Sequence, residues 1–102
     1  MGPVLTKPQL RILKVLHDSQ GSAEQVYGGT LITVAQLPSG TVYRSLDGLE
    51  DAGLVKGTWE SIDERTEGRR ARRYLAITGA GIRAYETELR FLAPKQQVGA
   101  RA

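Results

Sequence analysis

A chain of 102 residues holds about one small domain with a single modest core, which excludes a two-domain enzyme. With no cysteine and one histidine, His17, it can build neither a disulfide framework nor a thiolate or histidine metal cluster, and no cofactor is expected. The net charge of +3 is unevenly spread: residues 65–73 hold five arginines against one acid, Glu67, and so concentrated a basic patch points to a local anionic partner.

The first residues lack the charged-then-apolar order of a signal peptide, and no apolar run is long enough to span a bilayer. A cytoplasmic location without membrane contact is therefore expected. The first element is a helix over residues 8–17, "PQLRILKVLH", where Leu10, Ile12, Leu13, Val15 and Leu16 make a dense helical pattern and Pro8 suits the first turn. The small polar loop "DSQGS" ends it. "AEQVYGGTLITVAQ" reads as a second, shorter helix with Val26, Leu31 and Val34 on one side, weakened by Gly28 and Gly29 at ~1 kcal/mol each relative to alanine.

"LPSGTVYRSLDGLEDAGLV" gives the clearest pattern: Pro38 and Ser39 open a third helix, Val42, Leu46 and Leu49 recur at i, i+4 and i+7, and Gly53 closes it. "LVKGTWESI" and "RRYLAIT" then mix β-branched or aromatic residues with polar ones around the turn "DERTEGR", which predicts a β-hairpin with a charged tip. Thr78 offers an N-cap to a last helix, "GAGIRAYETELRFLA", whose apolar stripe of Ile82, Tyr85, Leu89 and Leu92 suggests a packing or dimer face. Pro94 is expected to end this helix and leave residues 94–102 as a flexible tail.

Three helices, two strands and a helix define a mainly α fold with a small β-hairpin (α+β), the winged helix-turn-helix arrangement. Residues 1–78 would form the winged head, with a recognition helix at about 39–52 and a wing at about 54–78. Residues 79–93 would form a C-terminal dimerisation helix.

"GAGIRA" matches the glycine pattern of a dinucleotide-binding turn, following a strand and opening a helix. The acid expected ~20 residues later falls in "QQVGARA", which has neither an acid nor a strand pattern, so the glycines read as the close-packed first turn of a capped helix. The arginine cluster could be a solvated edge that discourages strand pairing. Its place on a hairpin beside a recognition helix favours DNA contact by Arg69, Arg70 and Arg72, with Arg73 on the other side of the strand.

On the third helix, burial of the apolar face leaves Thr41, Tyr43, Arg44 and Asp47 outward. Asp47, Glu50 and Asp51 make the C-terminal half repellent to phosphates, so only the N-terminal half can approach DNA. Arg44 and Thr41 would meet base edges and Tyr43 and Ser39 phosphates, unless Tyr43 braces the helix or Arg44 pairs with Asp47. Trp59 reads as a core or wing-base residue and His17 as structural. Neighbouring carboxylates such as Glu50 with Asp51, or Asp63 with Glu64, lack an enclosed setting for acid–base work, and no enzyme is expected.

"LPSGTVYRSLDGLEDAGLVKGTWE" and "GRRARRYLAITGAGIRAYE" together resemble the PadR family of winged-helix transcriptional regulators, especially its short members, over about Leu10 to Leu92. Within "GTVYRSLDGLEDAGLV", Gly40, Tyr43, Leu46, Leu49, Glu50, Gly53 and Leu54 fall where that pattern expects them. The resemblance implies a homodimeric repressor on an inverted-repeat operator of double-stranded DNA, its last helix packing on the partner's first and last helices. Leu10, Leu13, Ile82, Tyr85, Leu89 and Leu92 would then form the interface. It also implies, for some members, release of DNA on binding a small aromatic effector. "YGGTL" in helix two and Leu75 after Tyr74 depart from the family pattern, and an irregular second helix is expected. A winged helix serving as a protein-interaction or antirepressor module is the alternative.

Overall fold

Helix α1 (Lys7–Asp18) begins with a capping box. The Thr6 hydroxyl accepts the Gln9 N–H at 3.2 Å, and the Gln9 side-chain carbonyl accepts the Thr6 N–H at 3.0 Å, so two otherwise orphaned donors are satisfied reciprocally. This is a computed structural model, and it describes residues 4–101, with side chains as far as Phe91. From α1, Ile12, Leu13 and Leu16 enter a core completed by Val26, Leu31, Val42, Leu46, Leu49, Leu54, Val55, Leu75 and Tyr85. Each such side chain, fully withdrawn from water, contributes roughly 1.5–3 kcal/mol.

The expected second helix starts later than its apolar pattern suggests. Val26–Tyr27 form a short strand, β1, and α2 covers only Gly28–Ala35. The β-branched and aromatic pair is drawn into the sheet by β3 (Arg73–Ile77), with Val26 opposite Leu75 and Tyr27 opposite Tyr74. Val26 is thus buried from a strand, while Val34, predicted to share its face, is 59% exposed. A tight turn through Gln36, in the left-handed region at φ 56°, leads from α2 toward α3 (Ser39–Asp51).

Val42, Leu46 and Leu49 of α3 are buried, as their spacing predicts. Gly53 ends the helix at φ 75°, with the Leu54 N–H donating to Leu49 O at 2.9 Å and the Gly53 N–H to Glu50 O at 3.0 Å. These two bonds close the helix C-terminus and turn the chain directly into β2 (Val55–Trp59). β2 and β3 pair antiparallel from Val55–Ile77 to Trp59–Arg73, and the sheet order is β1-β3-β2. The hairpin's connection is more than a turn: Asp63 caps a single helical turn, α4 (Glu64–Glu67), closed by Gly68 at φ 71°.

The last helix, α5, spans Gly79–Arg101 and packs on α1 and β3. Its start is capped as expected, the Thr78 hydroxyl accepting the Gly81 N–H at 3.0 Å. It does not stop at Pro94. The expected tail is helical as far as Arg101, and residue 102, like residues 1–3, lies outside the described residues. A proline withdraws one backbone donor and crowds the carbonyl four residues back, a cost that helix-forming lysine, glutamines and alanine on its C-terminal side can offset.

Candidate nucleic-acid interface

The N-terminal half of α3 presents Ser39, Gly40, Tyr43 and Arg44 to solvent. Tyr43 is 54% exposed, and its ring edge leans on Gly28, where an added Cβ would come within 2.5 Å of the tyrosine hydroxyl. The ring therefore braces α3 on α2 and still offers a face. Arg44 makes no ion pair with Asp47 or any other acid among the described residues, which leaves its guanidinium available. Thr41 is less free than its helical position suggests. It is half-buried in a small cleft of about 230 Å³ with Thr6, Pro8 and Gln9 from the start of α1.

The wing arginines divide into groups that the sequence leaves merged. Arg69 donates both terminal nitrogens to the Glu60 carboxylate, at 2.7 and 3.0 Å. Arg73 makes a similar forked pair with Glu50 of α3, the Nη1–Oε2 distance being 2.7 Å. Both guanidinium groups are held above their ordinary range, chiefly by these hydrogen bonds. Arg72 lies 4.4 Å over the ring of Tyr27, a cation–π contact that orients the group without using its N–H donors. Arg70 and Arg65 are exposed and have no ion-pair partner among the described residues.

Glu60 organises the wing base. Besides Arg69, its carboxylate accepts the Tyr74 hydroxyl at 2.8 Å and the Arg72 N–H at 3.1 Å. Led by the Arg69 hydrogen bonds, these contacts lower its pKa to about 2. Tyr74 in turn meets Tyr27 edge to face at 6.2 Å, so carboxylate, two tyrosines and Arg72 form one connected unit. Sequence reading passed over Glu60 because its partners lie 9 to 14 residues away.

Trp59 is neither core nor incidental: it is 66% exposed at the end of β2 and lines a groove of about 400 Å³ between α3 and the wing. His17 sits at the end of α1, its ring 5.0 Å from Tyr85 and its Nδ1 3.3 Å from the Asp18 carboxylate, which fits a structural residue.

The expected dimer stripe is also divided. Leu13 is fully buried and Tyr85 nearly so inside this chain, because α5 crosses α1 there and both side chains are spent on the core. Leu10 and Ile82 are half-buried, and Leu89 is 41% exposed. Phe91, absent from the sequence-based set, is 72% exposed, while the side chain of Leu92 lies outside the described residues.

A helix-turn-helix whose third helix is followed by a two-stranded wing defines the class, a winged-helix regulator of the α+β type. Residues 12–87 match the transcriptional regulator PadR-like family, and the chain belongs to it.

Solved structures share the fold. A mutant MepR from S. aureus superposes with a TM-score of 0.74 at 21% identity, over 96% of this chain and 66% of that one. The S. aureus MepR–DNA complex gives 0.69 at 20% identity over 95% and 72%. A zinc-responsive MarR family member, ZitR of Lactococcus lactis, gives 0.66 at 20% identity over 100% and 66%. The chain thus spans about two thirds of the length of most such neighbours. A comparison with the curated proteins found no match. Among the described residues, no helix is long and apolar enough to cross a membrane.

Proposed function

We propose that the chain is a sequence-specific DNA-binding transcriptional regulator that acts as a repressor on an inverted-repeat operator, as a dimer. The observation that carries this reading is a set of free cations, Arg44 on the exposed start of α3 and Arg70 and Arg72 on the wing, the last two sharing a groove with Tyr43 of α3. All three guanidinium groups are without an ion-pair partner among the described residues. Unpaired cations on the recognition helix and on the wing suit phosphates flanking a major groove entered by α3. Arg44 reaches base edges, with Thr41 at the margin of its cleft, while Tyr43 and Ser39 meet phosphates. Of the wing residues, Arg70 and Arg72 carry the contact, and Arg69 contributes by way of Glu60. The solved complex of MepR with DNA supports the general mode.

The proposed dimer draws on Leu89 and Phe91, apolar side chains that α5 leaves exposed on two sides, and on the half-buried Leu10 and Ile82. The competing reading, a protein-interaction or antirepressor module, draws on the internal pairing of Arg69 and Arg73. Random-oligonucleotide selection followed by binding titration separates the two. A regulator yields a two-fold symmetric site with half-sites about one helical turn apart, and its affinity falls steeply with salt. Arg44→Ala should cost about 1–3 kcal/mol and relax preference at one base position, whereas Arg70→Ala should weaken all duplexes alike and lower the salt slope by about one. Recovery of no preferred site would sink sequence-specific regulation.

A further inference from the structure

Trp59 and Tyr43 are far apart in sequence, sit on different elements and expose large aromatic surfaces, 66% and 54% respectively. Both line the groove between α3 and the wing, together with Arg70 and Arg72. The acids there are Glu50, which Arg73 neutralises through its forked pair, and Asp47, one turn beyond Tyr43. Arg70 and Arg72 therefore face a single uncompensated carboxylate, and the groove favours an anion. Trp59 donates no hydrogen bond among the described residues, so its indole N–H is free. An indole left this open in a small domain gives up burial that the core could use, and the cations beside it set the chemistry of what covers it.

We propose that Trp59 is a DNA-contacting residue: with Tyr43 it forms an aromatic seat for the sugar–phosphate backbone of one DNA strand, running between the recognition helix and the wing. The deoxyribose C–H edges pack on the rings, the indole N–H donates to a phosphate oxygen, and Arg70 and Arg72 close over the charge. The contact with the Tyr27 ring holds Arg72 beside the groove before DNA arrives, so less side-chain freedom is lost on binding. This assignment rests on the DNA-binding reading above.

The chain has a single tryptophan, so its emission reports on this position alone. A fluorescein-labelled duplex carrying the selected site is titrated with protein, and anisotropy of the label and tryptophan emission are followed in parallel, with a scrambled duplex of equal length as reference. The expected result is an emission change that saturates with the anisotropy midpoint. Trp59→Ala should weaken binding about tenfold, a typical effect for a buried aromatic anchor. Its slope against sodium chloride should stay unchanged, because no cation is removed. Trp59→Phe should recover part of the loss, and circular dichroism checks that both variants fold. Normal binding by anisotropy with unaltered emission and a wild-type affinity for Trp59→Ala overturns the seat and leaves the regulator standing. Binding to neither duplex overturns both.

Discussion

Gly81 has no room for a side chain. A Cβ there would lie 2.1 Å from the carbonyl oxygen of Leu54 and 2.7 Å from Ile77 Cγ1, and the oxygen belongs to backbone that cannot swing aside. The same carbonyl accepts the Thr78 N–H at 3.0 Å, so moving it breaks a hydrogen bond as well. Gly81→Ala should therefore destabilise the fold by about 1–3 kcal/mol, the usual cost of overpacking. Gly79→Ala, where a Cβ would meet only Arg83 Nη1 at 3.5 Å, should be neutral or mildly stabilising. Thermal unfolding of the two variants checks the contrast; equal losses would mean that close approach is not what glycine serves at position 81. The reading of "GAG" as a close-packed helix start is thus right for its second glycine. Which glycine matters depended on a carbonyl 27 residues earlier in the chain, beyond the reach of any local pattern.

Among the elements, the wing holds the sharpest chemical prediction. The Glu60 pKa, lowered from 4.5 to about 2, means that folding favours the ionised carboxylate. Its contribution to wing order is accordingly complete above about pH 4.5 and is lost as the pH falls toward about 2. The protection factor of the Arg72 amide, whose N–H donates to this carboxylate, should fall as the pH is lowered through that window in the parent chain and be low and flat across it in Glu60→Gln, the pH dependence of intrinsic exchange being divided out. A parent profile that is flat as well would disprove the latch. Helices α1 and α3 were legible because their apolar residues repeat at helical spacing with stop signals at each end. β1 was not, since two residues make no period and its partner strand lies far along the chain. The turn α4 carried readable signals, a capping aspartate and a closing glycine, which the charge of the tip obscured. The arginines were legible as a cluster, but their division was not. Glu60 and Glu50 are 9 and 23 residues from the arginines they hold.

At the scale of the whole molecule, α5 sets an elongated outline, 60 × 26 × 26 Å, and leaves Phe91 and Leu89 open on a helix packed on α1 and β3. In the proposed dimer these two side chains are covered by a second copy. The double variant Leu89→Glu with Phe91→Glu should keep its helical content but sediment as a monomer, and its affinity for the two-fold site should fall while half-site binding persists. A parent chain that is monomeric at micromolar concentration would refute the assembly itself.

The joint at Thr78 then acquires a mechanical meaning. Its hydroxyl donates to Gly53 O at 2.7 Å and accepts from Gly81, so the end of α3, the root of the wing and the start of α5 are clamped within a few residues. A helix of 23 residues is a rod of about 34 Å, and a tilt of about 10° at one end displaces the other by roughly 6 Å. With its start held by these bonds, α5 would act as a lever in the proposed dimer. The angle at which two such levers cross would fix the distance between the heads, so the pitch of the operator would be written in a threonine that never touches it.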